Sequence, residues 1–271
     1  MLETPSRPLR RRLILAGLLL SLSPTLLPAA ADAFDRTDAQ AVLSAADAVR
    51  NPPGSFAVRN ELTEFRRGRQ VDATVVTVFA RPAREGGQYD NLVRFDAPAR
   101  DAGKLMLRNG MDLWFHDPGT RASVRISPQQ RLLGQASNGD VMNTRLAEDY
   151  RAELVGRETV EDGERQPREA IHLALTAQRS DVPYPIVAYW VDAVDARPIL
   201  ARYYSAESRL LKTAYFRSYR KVLGRDRPTE TVIIDGLDPG WVTLMRTSEH
   251  RLRDIPESWM QRDYLPRFRE E

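Results

Sequence analysis

The stretch FAVRNELTEFRRGRQVDATVVTVFAR, residues 56–81, indicates the fold class. Apolar and polar side chains alternate over residues 56–66, with a change of register near Thr63, and apolar residues return over 71–81. Gly68 lies between the two runs, at the position of a tight turn. Two such runs joined by a glycine turn are typical of a β-hairpin. This hairpin is the first unit of a chain that we predict to be mainly β.

Short strands continue towards the C-terminus, separated by turn signals such as Asn109-Gly110 and Asp162-Gly163. The predicted strands cover residues 89–96, 103–108, 111–116, 122–126, 151–158, 169–175, 186–192, 198–205, 211–219, 229–235 and 240–249. Because short turns link consecutive strands, neighbours should pair antiparallel. We therefore predict a single large antiparallel sheet of about 11–12 strands, which should curl into a half-open β-barrel.

A few helices should cover this sheet. Residues 37–50 are predicted to form a helix with Thr37 as its N-cap, and residues 256–263 a short final helix that begins with a proline. A curled sheet of this width encloses more space than its own side chains fill. We therefore expect a helix, a loop or a ligand inside it.

Residues 127–150, SPQQRLLGQASNGDVMNTRLAEDY, interrupt the strand pattern. More than twenty residues without periodicity inside a compact domain are typical of a lid or a binding loop. Apolar residues such as Leu132, Leu133 and Met142 argue against simple disorder. We interpret this segment as a lid inserted into the domain.

The N-terminal residues 1–33 have the layout of a secretory signal peptide. Four arginines precede an apolar run of 15 residues, Leu13–Leu27, and Ala29, Ala31 and Ala33 offer small-residue cleavage sites. The run is shorter than the roughly 20 residues of a membrane span. We expect cleavage, a periplasmic location and a mature domain over residues 34–271.

Composition argues against several classes of function. The leader holds four of the 40 basic and two of the 37 acidic residues, so 36 basic and 35 acidic residues remain in 34–271. This balance gives no reason to expect nucleic acid as a partner. The chain has no cysteine and therefore no disulfide, thiol nucleophile or acylated N-terminal cysteine. No serine-hydrolase elbow, nucleotide-binding loop or metal-ligand spacing occurs either. We predict no catalytic residue, no metal and no cofactor.

Several runs of residues carry a resemblance to a known family. They are VRFDAPAR at 93–100, MDLWF at 111–115, RIS at 125–127, QRLLGQASNGD at 130–140 and DYLPR at 263–267. With the leader, the helix and the hairpins, they make the chain from 34 onward similar to the outer-membrane lipoprotein-sorting (LolA-like) proteins, in an uncharacterised branch of that family.

The resemblance implies a LolA/LolB-like half-open barrel whose apolar cavity holds acyl chains. It implies a monomeric periplasmic carrier of lipid or lipoprotein acyl chains between an inner-membrane transporter and an outer-membrane acceptor. The family's carrier also has an arginine that keeps its lid closed. Arg59 and Arg94 are the candidates for that role in this sequence.

Alternating apolar positions on the strands are candidates for the cavity lining, although single residues of this kind are more often plain core. They are Val76, Val78, Leu92, Leu105, Leu107, Leu113, Phe115, Val124, Ile126, Ile171, Leu173, Val187 and Tyr189, with Leu132, Leu133 and Met142 from the lid. Where both faces of a strand are apolar, the sequence leaves the inward-facing set open.

Two other classes of function remain open. One is a periplasmic adaptor or binding module of an inner-membrane exporter, for which exposed Trp241, Trp259 and Tyr264 would offer a surface. The other is an envelope enzyme, which would need two carboxylates with raised pKa values converging in the cleft. A deep apolar cavity would favour the carrier instead.

Overall fold

The computed structural model describes Met1 and residues 35–84 and 87–270, so the predicted signal peptide lies outside the described residues. Thirteen of the strands in this part of the chain form one antiparallel sheet. In chain order the strands are β1 Phe56–Arg66, β2 Arg69–Pro82, β3 Tyr89–Ala97, β4 Leu105–Asn109, β5 Asp112–Asp117, β6 Ala122–Arg125, β7 Arg131–Leu133, β8 Ala136–Ser137, β9 Tyr150–Glu161, β10 Pro167–Ala177, β11 Ile186–Asp192, β12 Pro198–Tyr204, β13 Leu210–Val222, β14 Arg225–Asp235 and β15 Trp241–Leu252.

The sheet begins in its middle. Strands β1 to β6 are added one after another towards one edge, and β9 starts at the opposite edge. The chain then returns strand by strand until β15 pairs with β1. Strands β6 and β9 remain as edges, so the barrel is half-open. The predicted single large antiparallel sheet is confirmed, with 13 strands instead of 11–12.

Helix α1, Ala39–Arg50, covers the inner face of strands β10 to β13. Its N-cap is Asp38 and not Thr37, because the Asp38 carboxylate accepts hydrogen bonds from the backbone of Gln40 and Ala41. The helix buries one apolar face against the sheet, formed by Val42, Leu43, Ala46 and Val49. Burying four such side chains contributes several kcal/mol, at about 1.5–3 kcal/mol for each large aliphatic one.

The C-terminal residues pack on the outer face of the other half of the sheet. Two short 3₁₀-helices, Glu257–Met260 and Arg262–Arg267, replace the single helix predicted over 256–263. Trp259 meets Phe79 of β2 edge to face, with ring centres 5.3 Å apart. Strands β2 to β4 are therefore covered on both faces, which explains why both of their faces are apolar.

Residues 126–149 connect the edge strand β6 to the opposite edge strand β9, and we call them the crossover segment. They contain the small hairpin β7–β8, the 3₁₀-helix Asn138–Asp140 and the short helix α2, Leu146–Asp149. Leu133, Ala136, Val141 and Met142 are buried against the inner face of the sheet. The segment predicted to be a lid thus lies across the interior of the half-barrel.

Candidate ligand cavity

A cavity of about 130 Å³ lies between the crossover segment and the inner face of the sheet. Its floor is built from strands β1, β13, β14 and β15, and its roof from residues 139–146. The apolar lining consists of Phe56, Val58, Val141, Met142, Leu146, Ala214, Phe216, Ile233 and Met245. Polar side chains enter it at both ends, with Arg50 at one and Lys212 at the other. The site is an amphipathic cavity with an apolar middle.

Lys212 of β13 binds the crossover segment from the floor of the cavity. Its ammonium group is paired with the carboxylate of Asp140 and donates to the carbonyl of Gln135 at 3.3 Å. The same carboxylate accepts from the backbone N–H of Ser137 at 2.7 Å and from the hydroxyl of Tyr184 at 3.1 Å. Burial lowers the pKa of Lys212, and the charge of Asp140 offsets part of that effect. Lys212 therefore connects the middle of the crossover segment to the sheet.

Side-chain amides on the scaffold satisfy much of the crossover backbone. Asn91 of β3 both accepts from the N–H of Asn143 at 2.9 Å and donates to its carbonyl at 3.0 Å. Gln88 makes the same paired contact with Arg145, at 2.8 and 3.1 Å. Three further amides donate to carbonyls of this segment: Asn60 to Val141, Asn51 to Thr144 and Gln40 to Ala147. A buried stretch outside the main sheet needs such partners for its backbone.

The β7–β8 turn approaches strand β15 closely at Gly134. Its φ is +52°, and a Cβ atom there would collide with the hydroxyl of Thr243 and crowd Glu64. The Thr243 hydroxyl accepts from the backbone N–H of Gln135 at 2.7 Å. Only glycine combines this backbone conformation with this contact.

Two buried carboxylates near the cavity have raised pKa values. Burial raises the pKa of Asp47 to about 6, although Arg50 opposes the shift. Burial also raises the pKa of Asp149, which lies 3.8 Å from Arg108. Asp47 additionally accepts from the backbone N–H of Ala147 at 2.8 Å. Both carboxylates therefore have an arginine beside them and hold the fold together at this end of the cavity.

The structure divides the predicted cavity residues among three surroundings. Those on the inner face of the sheet or beneath the crossover segment are Val76, Val78, Leu113, Phe115, Ile126, Leu132, Leu133, Met142, Ile171, Leu173, Val187 and Tyr189. Leu92, Leu105 and Leu107 lie on the outer face under the C-terminal residues, and Val124 is exposed. Of the whole set, Met142 lines the cavity described above.

Neither arginine predicted to close the lid is placed against it by the hydrogen bonds and ion pairs of the described residues. Arg59 pairs with Asp96 at 3.2 Å, and Arg94 pairs with the other oxygen of Asp96 at 2.7 Å and with Glu270. Asp96 also accepts from Thr77, and these groups surround the C-terminal residues on the outer face. Both arginines hold the C-terminus, and the cation that contacts the crossover segment is Lys212.

The aromatic residues considered for an adaptor surface are engaged within the fold. Trp259 is 4% exposed. Tyr264 packs against the same outer cluster, and the Trp241 ring is stacked between the guanidinium groups of Arg66 and Arg131.

In the described part of the chain, no helix is long and apolar enough to cross a membrane. The same residues contain no group of three or more histidine, cysteine or acidic side chains that could hold a metal ion.

Comparison with known proteins supports the family resemblance. Residues 87–267 match the model of a family described as "uncharacterized protein". A LolA superfamily protein from Nitrosomonas europaea is 32% identical, with 83% of this chain and 98% of that chain covered and a TM-score of 0.74. The chain belongs to the LolA superfamily.

Two further solved structures share the fold. A DUF1329 family protein from Desulfovibrio piger has a TM-score of 0.70 at 21% identity, over 84% of this chain and 97% of that one. A putative outer membrane lipoprotein-sorting protein domain from Vibrio parahaemolyticus has a TM-score of 0.69 at 18% identity, over 86% and 100%. No curated protein matches the chain.

Proposed function

We propose that this protein is a periplasmic carrier that binds the acyl chains of a lipid or lipoprotein inside its half-barrel and moves them between the inner and outer membranes. The observation that carries the proposal is the cavity with an apolar middle between the crossover segment and the inner face. Each buried methylene group is worth roughly 0.8 kcal/mol, so an acyl chain leaves a membrane only for a comparable apolar site. Membership of the LolA superfamily, and a leader of the secretory type over residues 1–33, agree with this role.

The crossover segment acts as the lid in this proposal. The cavity of about 130 Å³ is smaller than the roughly 300–1,000 Å³ of ordinary ligand sites, so a long chain needs more room. The segment is held to the scaffold largely by hydrogen bonds, each of which contributes only about 1 kcal/mol net. Its unbranched Met142 can adapt to chains of different shape. Displacement of this segment would enlarge the cavity.

Uptake of a fluorescent fatty acyl probe tests the proposal. Ala214→Phe projects a ring from the floor into the cavity, and we expect it to reduce probe binding at least tenfold, at roughly 1.4 kcal/mol per factor of ten. Thr213→Phe is the matched control, since the adjacent residue of the same strand points to the other face of the sheet. Mass spectrometry of the protein purified without detergent should find a co-purifying lipid. An empty protein that also takes up no probe would contradict the carrier function.

A further inference from the structure

Arg50 lies at the more exposed end of the cavity. It is the last residue of α1 and lines the cavity together with Asn51, Pro52 and His250. Its side chain is 21% exposed, whereas the side chain of Lys212 at the other end is 4% exposed. The two cations of the cavity therefore differ in their access to solvent.

The charges of the two cations are balanced differently. Lys212 is directly paired with Asp140, which in turn is held by Ser137 and Tyr184. The carboxylate beside Arg50 is that of Asp47, but the contact from Nη1 to Oδ1 is 3.4 Å long.

The second oxygen of that carboxylate accepts from the backbone of Ala147. Burial also raises the pKa of Asp47, which weakens its negative charge in mildly acidic solution. A guanidinium group has five N–H donors, and this contact uses few of them.

A second polar group beside Arg50 lacks a partner. The hydroxyl of Tyr189 is buried beneath α1 and makes no hydrogen bond within the described residues. The charge of Arg50 acts on this hydroxyl and lowers its pKa, against a larger upward effect of burial. An orphaned buried hydroxyl is costly, and a ligand oxygen would satisfy it.

The path from Arg50 into the protein is apolar. The guanidinium carbon lies 5.9 Å from the centre of the Phe216 ring. Ala214 follows on the same strand, and Lys212 lies four residues from Phe216, about 14 Å along an extended strand. Ile233 and Val58 add apolar surface to this path. A polar, solvent-accessible end and an apolar path leading away from it match the shape of a single-chain amphiphile.

We propose that the cavity selects amphiphiles with an anionic headgroup, whose carboxylate or phosphate binds Arg50 while the chain runs over Phe216 and Ala214 towards Lys212. The inference rests on the proposed carrier function and adds the headgroup chemistry to it. An arginine can bind a carboxylate or a phosphate through two parallel hydrogen bonds. Such charge-assisted bonds are stronger than neutral ones.

The test compares ligands that share one chain and differ in the headgroup. Dodecanoate, dodecyl phosphate and dodecan-1-ol, each below its micelle or solubility limit, compete with a neutral fluorescent acyl probe for the purified protein. We expect at least one anion to bind ten or more times as tightly as the alcohol, since a hydrogen bond to a charged group is worth about 1.5–3 kcal/mol. The relative affinity of carboxylate and phosphate identifies the headgroup.

Variants of Arg50 assign the preference to this side chain. Arg50→Gln should remove the advantage of the anion and change alcohol binding by less than about twofold, and Arg50→Lys should keep part of the advantage. Arg151→Gln, on the exposed edge strand, is the control. Equal binding of anions and alcohol by the unaltered protein would overturn the inference while the carrier function stands. Failure of all three ligands to displace the probe would overturn both.

Discussion

Arg108 of strand β4 lies 3.8 Å from Asp181 in the loop between β10 and β11, although these strands are the third and the twelfth in the order of the sheet. The same guanidinium lies 3.8 Å from Asp149 at the end of the crossover segment. The curl of the sheet therefore brings its two halves together around one buried arginine. Asp181 is also bound through both oxygens by Arg179.

Replacement of Arg108 should loosen this closure. Arg108→Met leaves Asp149 and Asp181 buried without their shared counter-charge, and removal of one partner of a buried ion pair typically costs about 3–5 kcal/mol. Urea unfolding should show a loss in this range, and hydrogen exchange should rise in α2 and in the β10–β11 loop. Arg100→Met, at an arginine whose side chain is 66% exposed, should leave both unchanged. Equal stability of the two variants would refute a closing role for Arg108.

Replacement of Lys212 should release the middle of the crossover segment. Lys212→Met removes the cation from the buried carboxylate of Asp140, so we expect faster hydrogen exchange at residues 135–141 and a loss of roughly 3 kcal/mol. Lys221→Met changes an exposed lysine on the same strand and serves as control. Unchanged exchange at residues 135–141 would show that Lys212 does not hold the segment.

Gly134→Ala should shift the β7–β8 hairpin away from the sheet. The new Cβ atom meets the Thr243 side chain at a backbone angle that alanine rarely adopts. We expect weaker protection of the Gln135 amide and a lower melting temperature. Gly224→Ala also changes a glycine with positive φ but meets no neighbour, so it measures the backbone effect alone. If both variants lose equal stability, the close contact at Gly134 is unimportant.

The two outer-face arginines should act on the C-terminus and not on the crossover segment. Arg94→Gln breaks the contacts with Asp96 and Glu270, so limited proteolysis should cut residues 255–270 sooner. Exchange in the crossover segment should stay the same, because Arg94 does not contact it. Faster exchange at residues 135–145 in this variant would instead support the original assignment of Arg94 to the lid.

Asp47 and His250 should have opposite effects on stability between about pH 4 and pH 6.5. The carboxyl of Asp47 titrates near 3.8 in the unfolded chain and at about 6 in the folded protein, so this group makes stability fall as pH rises through that window, by on the order of 3 kcal/mol. Burial and the charge of Arg227 lower the pKa of His250 from 6.5 to about 4, so this group makes stability rise with pH.

The two single variants separate these effects. Asp47→Asn should make the free energy of unfolding rise more steeply with pH than in the unaltered protein, and His250→Asn should make it fall with pH. Urea titrations across the window measure both slopes. Identical slopes in the two variants would mean that neither group titrates as the structure indicates.

The sequence predicted the sheet well, because each of its strands is bounded by turn residues that act locally. It predicted the faces of the strands less well. Leu92 and Leu105 alternate correctly but face outward, since the C-terminal residues bury the outer face too. Alternation gives the two sets of side chains and not the side that each set occupies.

The polar part of the site was harder to foresee. The predicted lid was noted for its own amides, whereas the amides that bind its backbone, Asn60 and Asn91 among them, belong to the strands. The sequence does contain a signal for Asn60, a polar residue at an inward position between Val58 and Leu62. Lys212 is similar, two positions before Ala214 on the inward side of β13. Their partners are distant in the sequence, so local patterns could not reveal them.

The pairing of β1 with β15 has a consequence for how the protein folds. Strands β1 to β6 and β9 to β15 are each contiguous in the sequence, so each half of the sheet can form through successive local hairpins. The contact between the halves joins Phe56 to Leu252 and closes almost the whole chain into one loop. Contacts between such distant residues form slowly, because the entropy of a long loop must be lost first. The central seam should therefore form last, and the enclosed volume should exist only after both halves have met.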